Sequence, residues 1–586
     1  MEKPIRLFDI LPYAATTYPE QKVALAGKQN GKWREYSMRE YIETTDNLSF
    51  GLIQLGIQKD DKVAIISSNR PEWNMFDMAV MQIGAIAVPI YPTISEGEYR
   101  YILNHAEITC LFVEENLLHK VVNILPEIAG LKNVFTFGLK DNYNTFADVV
   151  ELGKNNPDKA ELDKRRSAVK NSDTACMIYT SGTTSNPKGV MLSHNNVLQQ
   201  IYNLEHTPSK WSKKAFSFLP LCHTYEKMLV YLYQYLGMSV YYVESLATLS
   251  ENIKEVNPTM MSCVPRVLEK IYDKLYVSGK KLSFVQRMIY FWAFRLATKY
   301  KITGLSGWYK LKHKLADKLI YSQWRKAIGG NFDIVVSGSA ALQSHIAAFF
   351  SAIGMPVFEG YGLTESSPVI AVSSRERNGR RFGTVGLPLP GVEVKIGERD
   401  EIICRGHNVM QGYYKEPALT AEAIDQDGWL HTGDTGKFTD EGQLIITGRL
   451  KGIFKTSFGK YVNPQLIEDK YMQSPFIENM MVVGENQKFA AALIIPDFVY
   501  LRQWAKENKI DYSSNQEMIK NPEVRKQYER IIKEYSSCFG DTEKIKRFAL
   551  IADEWSQENG ILTPTLKVKR RIVQEKYMRE IEKLFE

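Results

Sequence analysis

The sequence predicts an α/β protein in two unequal parts, a large N-terminal domain of parallel-type sheets covered by helices and a smaller α+β C-terminal domain. Three observations predict it. Short apolar runs rich in β-branched residues alternate with longer segments whose apolar positions fall three and four apart, the pattern of βαβ units. From about Val392 the runs shorten and are separated by turns at Asp427-Gly428 and Glu441-Gly442. After Gly448 a compact stretch holds three or so strands and two helices of its own. A chain of 586 residues is also long enough for more than one domain.

In chain order the predicted strands are Lys62–Ser68, Ile86–Tyr91, Thr109–Glu114, Asn133–Phe137, Ala175–Thr180, Phe216–Leu221, Val240–Val243, Met260–Val264, Asp333–Ser337 and Val357–Glu359. Each is a short apolar run, as strands buried on both faces require. Met38–Leu55 and Ile346–Ile353 carry helical spacing between them. Helical sequence dominates from Val267 to Ile328, and a charged helix, Arg571–Phe585, ends the chain. The expected division is 1–448, a linker at 449–452, and 453–586, with 266–328 as a basic helical insertion in the first part.

Composition excludes several classes. With 44% hydrophobic and 24% charged residues the chain is not wholesale disordered. The longest apolar run, Met78 to Tyr91, contains Gln82 and Pro89 and is too short to span a bilayer. MEKPIRLFDIL lacks the apolar core of a signal peptide, so the expected location is cytoplasmic. Cys110, Cys176, Cys222, Cys263, Cys404 and Cys538 lie far apart and form no C-x-x-C, which argues against a disulfide scaffold or a zinc ribbon. Neither G-x-S-x-G nor H-E-x-x-H occurs, which disfavours a serine hydrolase and a zincin.

The charge is uneven. Residues 266–326 hold fifteen Lys/Arg against Glu269, Asp273 and Asp317, so this stretch is +12 in a chain of +7. Aromatic residues interleave, among them Tyr290, Trp292, Trp308 and Trp324. Two readings stand. The basic stems could snorkel over the insertion's own core, or the patch could meet an anionic membrane surface, in the cell the inner membrane face. No nucleic-acid module accompanies it. The sequence leaves oligomeric state open, a homodimer included.

The strongest local signal is Ile178-Tyr179-Thr180-Ser181-Gly182-Thr183-Thr184-Ser185-Asn186-Pro187-Lys188-Gly189-Val190. A largely apolar strand enters it. Hydroxyls, a glycine and a movable cation follow, which is the donor chemistry a polyphosphate requires. It is not a G-x-x-x-x-G-K-[ST] loop, because Gly189 follows Lys188. The segment resembles the phosphate loop of the adenylate-forming enzymes, with Ser185 where glycine is common. Further stretches resemble that superfamily in order: Leu219-Pro220-Leu221-Cys222-His223, Glu359-Gly360-Tyr361-Gly362-Leu363-Thr364-Glu365, Gly428-Trp429-Leu430-His431-Thr432-Gly433-Asp434, Gly448-Arg449-Leu450-Lys451, Phe458-Gly459-Lys460-Tyr461-Val462-Asn463-Pro464 and Thr563-Pro564-Thr565-Leu566-Lys567. Together they cover essentially the whole chain. Ala87–Thr93 and the long insertion resemble the long-chain fatty acyl-CoA synthetase branch.

The resemblance implies a small distorted barrel closing the large domain and a mobile C-terminal domain. It also implies ATP, magnesium and coenzyme A. Thr180, Ser181, Gly182, Thr183, Thr184 and Lys188 would surround the ATP phosphates, and Glu365 would hold magnesium. Gly338, Ser339, Ala340, Glu359, Gly360, Tyr361 and Gly362 would line the adenine, with Asp434 and Arg449 at the ribose. Thr364, Arg449, His223 and Lys567 would serve catalysis, Lys569 being a second candidate for the C-terminal lysine. Lys451 would be the hinge, and Gly459 would line the CoA path.

The function implied is ATP-dependent activation of a long-chain fatty acid to acyl-AMP and transfer to CoA. A ligase for medium-chain or aryl acids, or for a carrier-protein thiol, is the same-fold alternative. A non-catalytic acyl- or nucleotide-binding membrane protein is an alternative of another class, against which Lys188, Glu365, Asp434, Arg449 and Lys567 all argue.

Overall fold

The computed structural model describes residues 2–139, 142–180, 186–245, 247–458, 460–537, 539–541, 543–557, 559–563 and 568–586, with only the backbone of Lys451. Two large sheets organise the first 390 or so residues. One has the order Gly412–Tyr413, Lys188–Ser193, Thr174–Thr180, Ile86–Ile90, Lys62–Ile66, Ile108–Val113, Asn133–Thr136. The other runs Leu387–Pro388, Ala371–Val372, Val357–Tyr361, Ile334–Ser337, Met260–Cys263, Lys214–Ser217, Ser239–Tyr242, Leu25–Gln29, Lys32–Tyr36. The interior strands of both are parallel, and antiparallel pairs lie at the edges. The α/β expectation therefore holds.

Helices Pro71–Gln82 and Thr224–Tyr235 lie in the core that joins the two sheets. Every residue of Thr224–Tyr235 is buried, as an interior helix demands. Its charges are matched inside. Lys227 Nζ lies 2.5 Å from Asp77 Oδ1, and the Tyr231 hydroxyl donates to the other oxygen. Glu226 accepts hydroxyl bonds from Ser217, at 2.5 Å, and from Ser262. Burial nevertheless pushes the Glu226 carboxyl up to about 7.

Residues Val392–Ile396, Glu401–Gly406, Leu430–Phe438 and Leu444–Arg449 form a four-stranded antiparallel sheet. Beyond Gly452 the chain packs around two cores built from residues 454–585, on a three-stranded sheet of Ile477–Val483, Ala490–Pro496 and Ile545–Leu550. The segment 266–328 is helical, from Pro265–Lys280 through Phe284–Ala297, Gly307–Ala316 and Asp317–Tyr321 to Ser322–Ile328.

Three expectations change. The hairpin Leu25–Gln29/Lys32–Tyr36, turning at Asn30-Gly31, lies outside the predicted strands. The expected strand Phe216–Leu221 is Lys214–Ser217, because Asn69 holds the next stretch as a loop, donating to Leu219 O at 2.7 Å and accepting from Leu221 N at 3.1 Å. The terminal helix is two, Arg570–Lys576 and Met578–Lys583. They part at Tyr577, whose hydroxyl donates to Asp553 at 2.9 Å and accepts from Trp555 Nε1 at 3.3 Å. These tertiary bonds outweigh local helix propensity.

Candidate active site

Thr180 ends strand Thr174–Thr180, Gly338–Ala340 follows Ile334–Ser337 and Glu359–Tyr361 ends Val357–Tyr361, at carboxyl strand ends where open α/β sheets bind ligands. Asp434 and Arg449 come from the four-stranded antiparallel sheet. Strand Thr174–Thr180 leads into the hydroxyl-rich loop, and Lys188–Ser193 returns antiparallel, Thr180 opposite Lys188. Ser181, Gly182, Thr183 and Thr184 lie outside the described residues. Lys188 is fixed from below: its Nζ sits 4.9 Å from the centre of the Tyr413 ring.

Tyr413 reaches that place because Gly412–Tyr413 is an edge strand paired with Lys188–Ser193, Tyr413 opposite Val190. Its hydroxyl donates to Glu365 Oε1 at 2.9 Å. Burial and the adjacent Glu365 charge both raise the phenol, so it remains a donor. The backbone repeats the link, with Met410 N–H bonded to Glu365 O at 2.9 Å. One aromatic residue thus holds together the loop lysine and the carboxylate that follows Thr364. Thr364 itself opens the short turn Thr364–Ser366 and is half-buried.

A second constellation begins four residues earlier. Tyr361 ends strand Val357–Tyr361, and its hydroxyl donates to Asp434 Oδ2 at 3.0 Å. Arg449 Nε lies 2.8 Å from Asp434 Oδ1. Asp434 and Arg449 face each other across neighbouring strands. The carboxylate of Asp434 is almost fully buried, so both bonds matter to it. Gly362 is required by packing, since a Cβ there would lie 1.8 Å from Pro368 O. Gly360 is not under that constraint, its nearest neighbour being an ordinary 3.5 Å contact.

Gly338-Ser339-Ala340 follows strand Ile334–Ser337, and Ser339 takes a left-handed backbone, φ +69°. A Cβ at Gly338 would come within 3.1 Å of the Tyr225 ring, whose hydroxyl is tied to Val336 O at 3.0 Å. Glu359 is buried beneath this strip, and burial raises its carboxyl to about 7. His223 caps helix Thr224–Tyr235, its Nδ1 accepting from Tyr225 N–H at 3.1 Å. A neutral His223 ring accordingly carries its proton on Nε2.

Lys567 and Gly459 lie outside the described residues, as does the side chain of Lys451. Lys569, the second lysine candidate, crosses to the large domain, with Nζ 3.4 Å from Glu98 Oε1. Sequence reasoning missed Tyr413. Its signal was Gly412-Tyr413-Tyr414, an aromatic pair after glycine, but only strand pairing reveals what it touches.

The model of the family described as AMP-binding enzyme matches residues 11–414, and that of the AMP-binding enzyme C-terminal domain matches 453–586. This chain belongs to the AMP-binding enzyme family. Among relatives of this AMP-binding enzyme, the long-chain-fatty-acid–CoA ligase FadD15 of Mycobacterium bovis is 32% identical, over 95% of this chain and 93% of its own. Fatty acyl-CoA synthetase A of Dictyostelium discoideum is 30% identical, covering 96% and 87%. Long-chain-fatty-acid–CoA ligase 1 of Homo sapiens is 30% identical, covering 94% and 82%. The anthranilate CoA ligase AuaEII, solved with anthranoyl-AMP, has the same fold at TM-score 0.74 and 18% identity, covering 99% of this chain and 100% of its own.

Proposed function

We propose that this AMP-binding enzyme activates long-chain fatty acids at one site in two steps. A carboxylate oxygen attacks the α-phosphorus of ATP, forming an acyl–AMP anhydride and releasing pyrophosphate. The thiol of coenzyme A then attacks the acyl carbonyl, its proton passes to solvent, and AMP leaves with the electrons of the broken C–O bond. Near-full-length relatives carrying the name long-chain-fatty-acid–CoA ligase support this reading. The observation that carries it is the pair of joined constellations, Lys188–Tyr413–Glu365 and Tyr361–Asp434–Arg449.

In this reading Thr180, the loop 181–184 and Lys188 surround the β- and γ-phosphates. Tyr361 lies against the adenine, with Gly338–Ala340 and Glu359–Gly362 around it. Asp434 accepts the ribose hydroxyls, and Arg449 steadies that carboxylate. The donor set fits magnesium. Glu365 has one oxygen bonded to Tyr413, and no cluster of three or more His, Cys, Asp or Glu occurs among the described residues, so a single carboxylate plus phosphate oxygens is the available mode. When bound, magnesium would offset negative charge on the phosphates. Lys188 and Lys567 supply the protein's own share of that charge stabilisation. The family resemblance assigns His223, held by its cap bond, to the acyl path and Gly459 to the pantetheine path. The domain 453–586 turns about Lys451 between the steps, withdrawing Lys567.

The basic stretch 266–326 further supports attachment to an anionic membrane surface. Among the described residues no helix is long and apolar enough to cross a membrane. Pyrophosphate release with a panel of acids tests the function. Release should require ATP and a long-chain acid, and added CoA should give acyl-CoA. Release with aryl acids alone, transfer only to a carrier-protein thiol, or no acid-dependent release would each contradict it.

A further inference from the structure

The insertion carries an unusual surface. Of twenty-one exposed large apolar side chains among the described residues, eight fall between 284 and 319. On helix Phe284–Ala297 they are Phe284, Val285, Met288 and Ile289, with Phe284 69% exposed. The opposite face of that helix, Tyr290, Ala293, Phe294 and Ala297, is buried. It is pinned to its surroundings by Tyr290 Oη to Leu275 O at 2.7 Å and by Tyr321 Oη to Ala293 O at 2.8 Å. A helix apolar on both faces needs a cover on both, and the protein provides one. On the neighbouring helix Gly307–Ala316 and its continuation, Trp308, Leu311, Leu315 and Leu319 recur at helical spacing, with Trp308 66% exposed. Tyr309 Oη ties the two helices together, bonding Leu296 O at 2.8 Å.

Lysines and arginines lie on or next to the same helices: Lys281, Arg287, Arg295, Lys310, Lys314 and Lys318 are all exposed. None is ion-paired with a described carboxylate, and Asp317, the only acid from 274 to 330, already pairs with Arg325 at 2.5 Å. A cover must therefore be apolar at its centre and anionic at its edge. A second copy of this chain meets the first condition and fails the second, because a two-fold contact would set these cations against one another. An anionic lipid leaflet meets both.

We propose that helices Phe284–Ala297 and Gly307–Ala316 form a membrane-insertion ridge. Phe284, Val285, Met288 and Ile289, with Trp308, Leu311, Leu315 and Leu319, enter the acyl boundary of an anionic leaflet while the flanking cations hold its headgroups. The inference rests on the membrane reading of 266–326 and adds to it that apolar burial, beyond charge, drives attachment.

Co-sedimentation with phosphatidylglycerol-containing and pure phosphatidylcholine vesicles tests it. The ridge variant is Leu311→Ser/Leu315→Ser/Leu319→Ser, and the charge variant is Lys310→Glu/Lys314→Glu/Lys318→Glu. Melting temperature and pyrophosphate release with a detergent-solubilised long-chain acid verify that both fold. The wild type should bind the anionic vesicles selectively, and the ridge variant should lose about tenfold or more in partitioning with its charge unchanged. Undiminished binding by the ridge variant, with loss in the charge variant alone, would leave surface attraction standing and overturn the ridge. No vesicle binding by the wild type would overturn both. A dimer in sedimentation velocity that the ridge variant dissolves would assign the face to a second copy.

Discussion

Replacing Tyr413 by Phe removes one hydroxyl and keeps the ring beneath Lys188. The lost bond is the 2.9 Å donation to Glu365 Oε1. A hydrogen bond to a charged group contributes about 1.5–3 kcal/mol. Glu365 is only half-buried, so the lower end applies, about 1.5–2 kcal/mol or roughly 10–30-fold. Because Glu365 is the proposed magnesium carboxylate, the loss should appear as a weaker apparent affinity for magnesium–ATP and a lower kcat for pyrophosphate release. The fold should be spared, with the melting temperature close to wild type. Tyr413→Leu should add the loss of the cation–π contact, about 0.5–1 kcal/mol more. Parameters for Tyr413→Phe within about twofold of wild type would refute the claim that Tyr413 couples Lys188 to Glu365.

Arg449→Ala leaves the buried Asp434 without its 2.8 Å partner and should lower both melting temperature and ATP affinity. Adding Asp434→Asn to that variant should restore stability but not affinity, as a double-mutant cycle in calorimetry and kinetics would show. Lys567→Ala should abolish adenylate formation yet spare thioester synthesis from pre-made acyl-AMP, and equal loss of both half-reactions would count against its role. Glu226 and Glu359 titrate at about 7 in the fold against an ordinary 4.5. The folded state therefore binds the proton more tightly, and the stability these groups give is full below about pH 4.5 and lost as pH rises through about 7. Glu226→Gln should flatten the dependence of melting temperature on pH between roughly 5 and 8 by the Glu226 share alone, since burial also raises Glu359, Glu269, Asp273, Glu468 and Glu478.

What could be read from the sequence was what is local. The loop Thr180–Lys188, the run Glu359–Glu365 and the turn before Asp434 each place their chemistry within a few residues, so their resemblance to adenylate-forming enzymes could be seen in the sequence. The α/β class followed from apolar strands buried on both faces. Pairings between distant segments could not be read. Tyr413 meets Lys188 through an edge-strand register, and Arg449 meets Asp434 across a hairpin. The Asn69 clamp that shortens the Lys214–Ser217 strand and the Tyr577 bonds that split the terminal helix are tertiary effects of the same kind. The hairpin at Asn30-Gly31 is different. Its turn signal was present in the sequence, but Lys32–Tyr36 is too polar to stand out as a buried strand.

The most direct measurement follows heavy oxygen from a labelled fatty-acid carboxylate into the products by mass spectrometry. If the carboxylate attacks the α-phosphorus, one labelled oxygen must appear in AMP and none in pyrophosphate. Label in inorganic phosphate with ADP as co-product, or unlabelled AMP alongside labelled acyl-CoA, would contradict an acyl-adenylate intermediate and with it the assignment of this site.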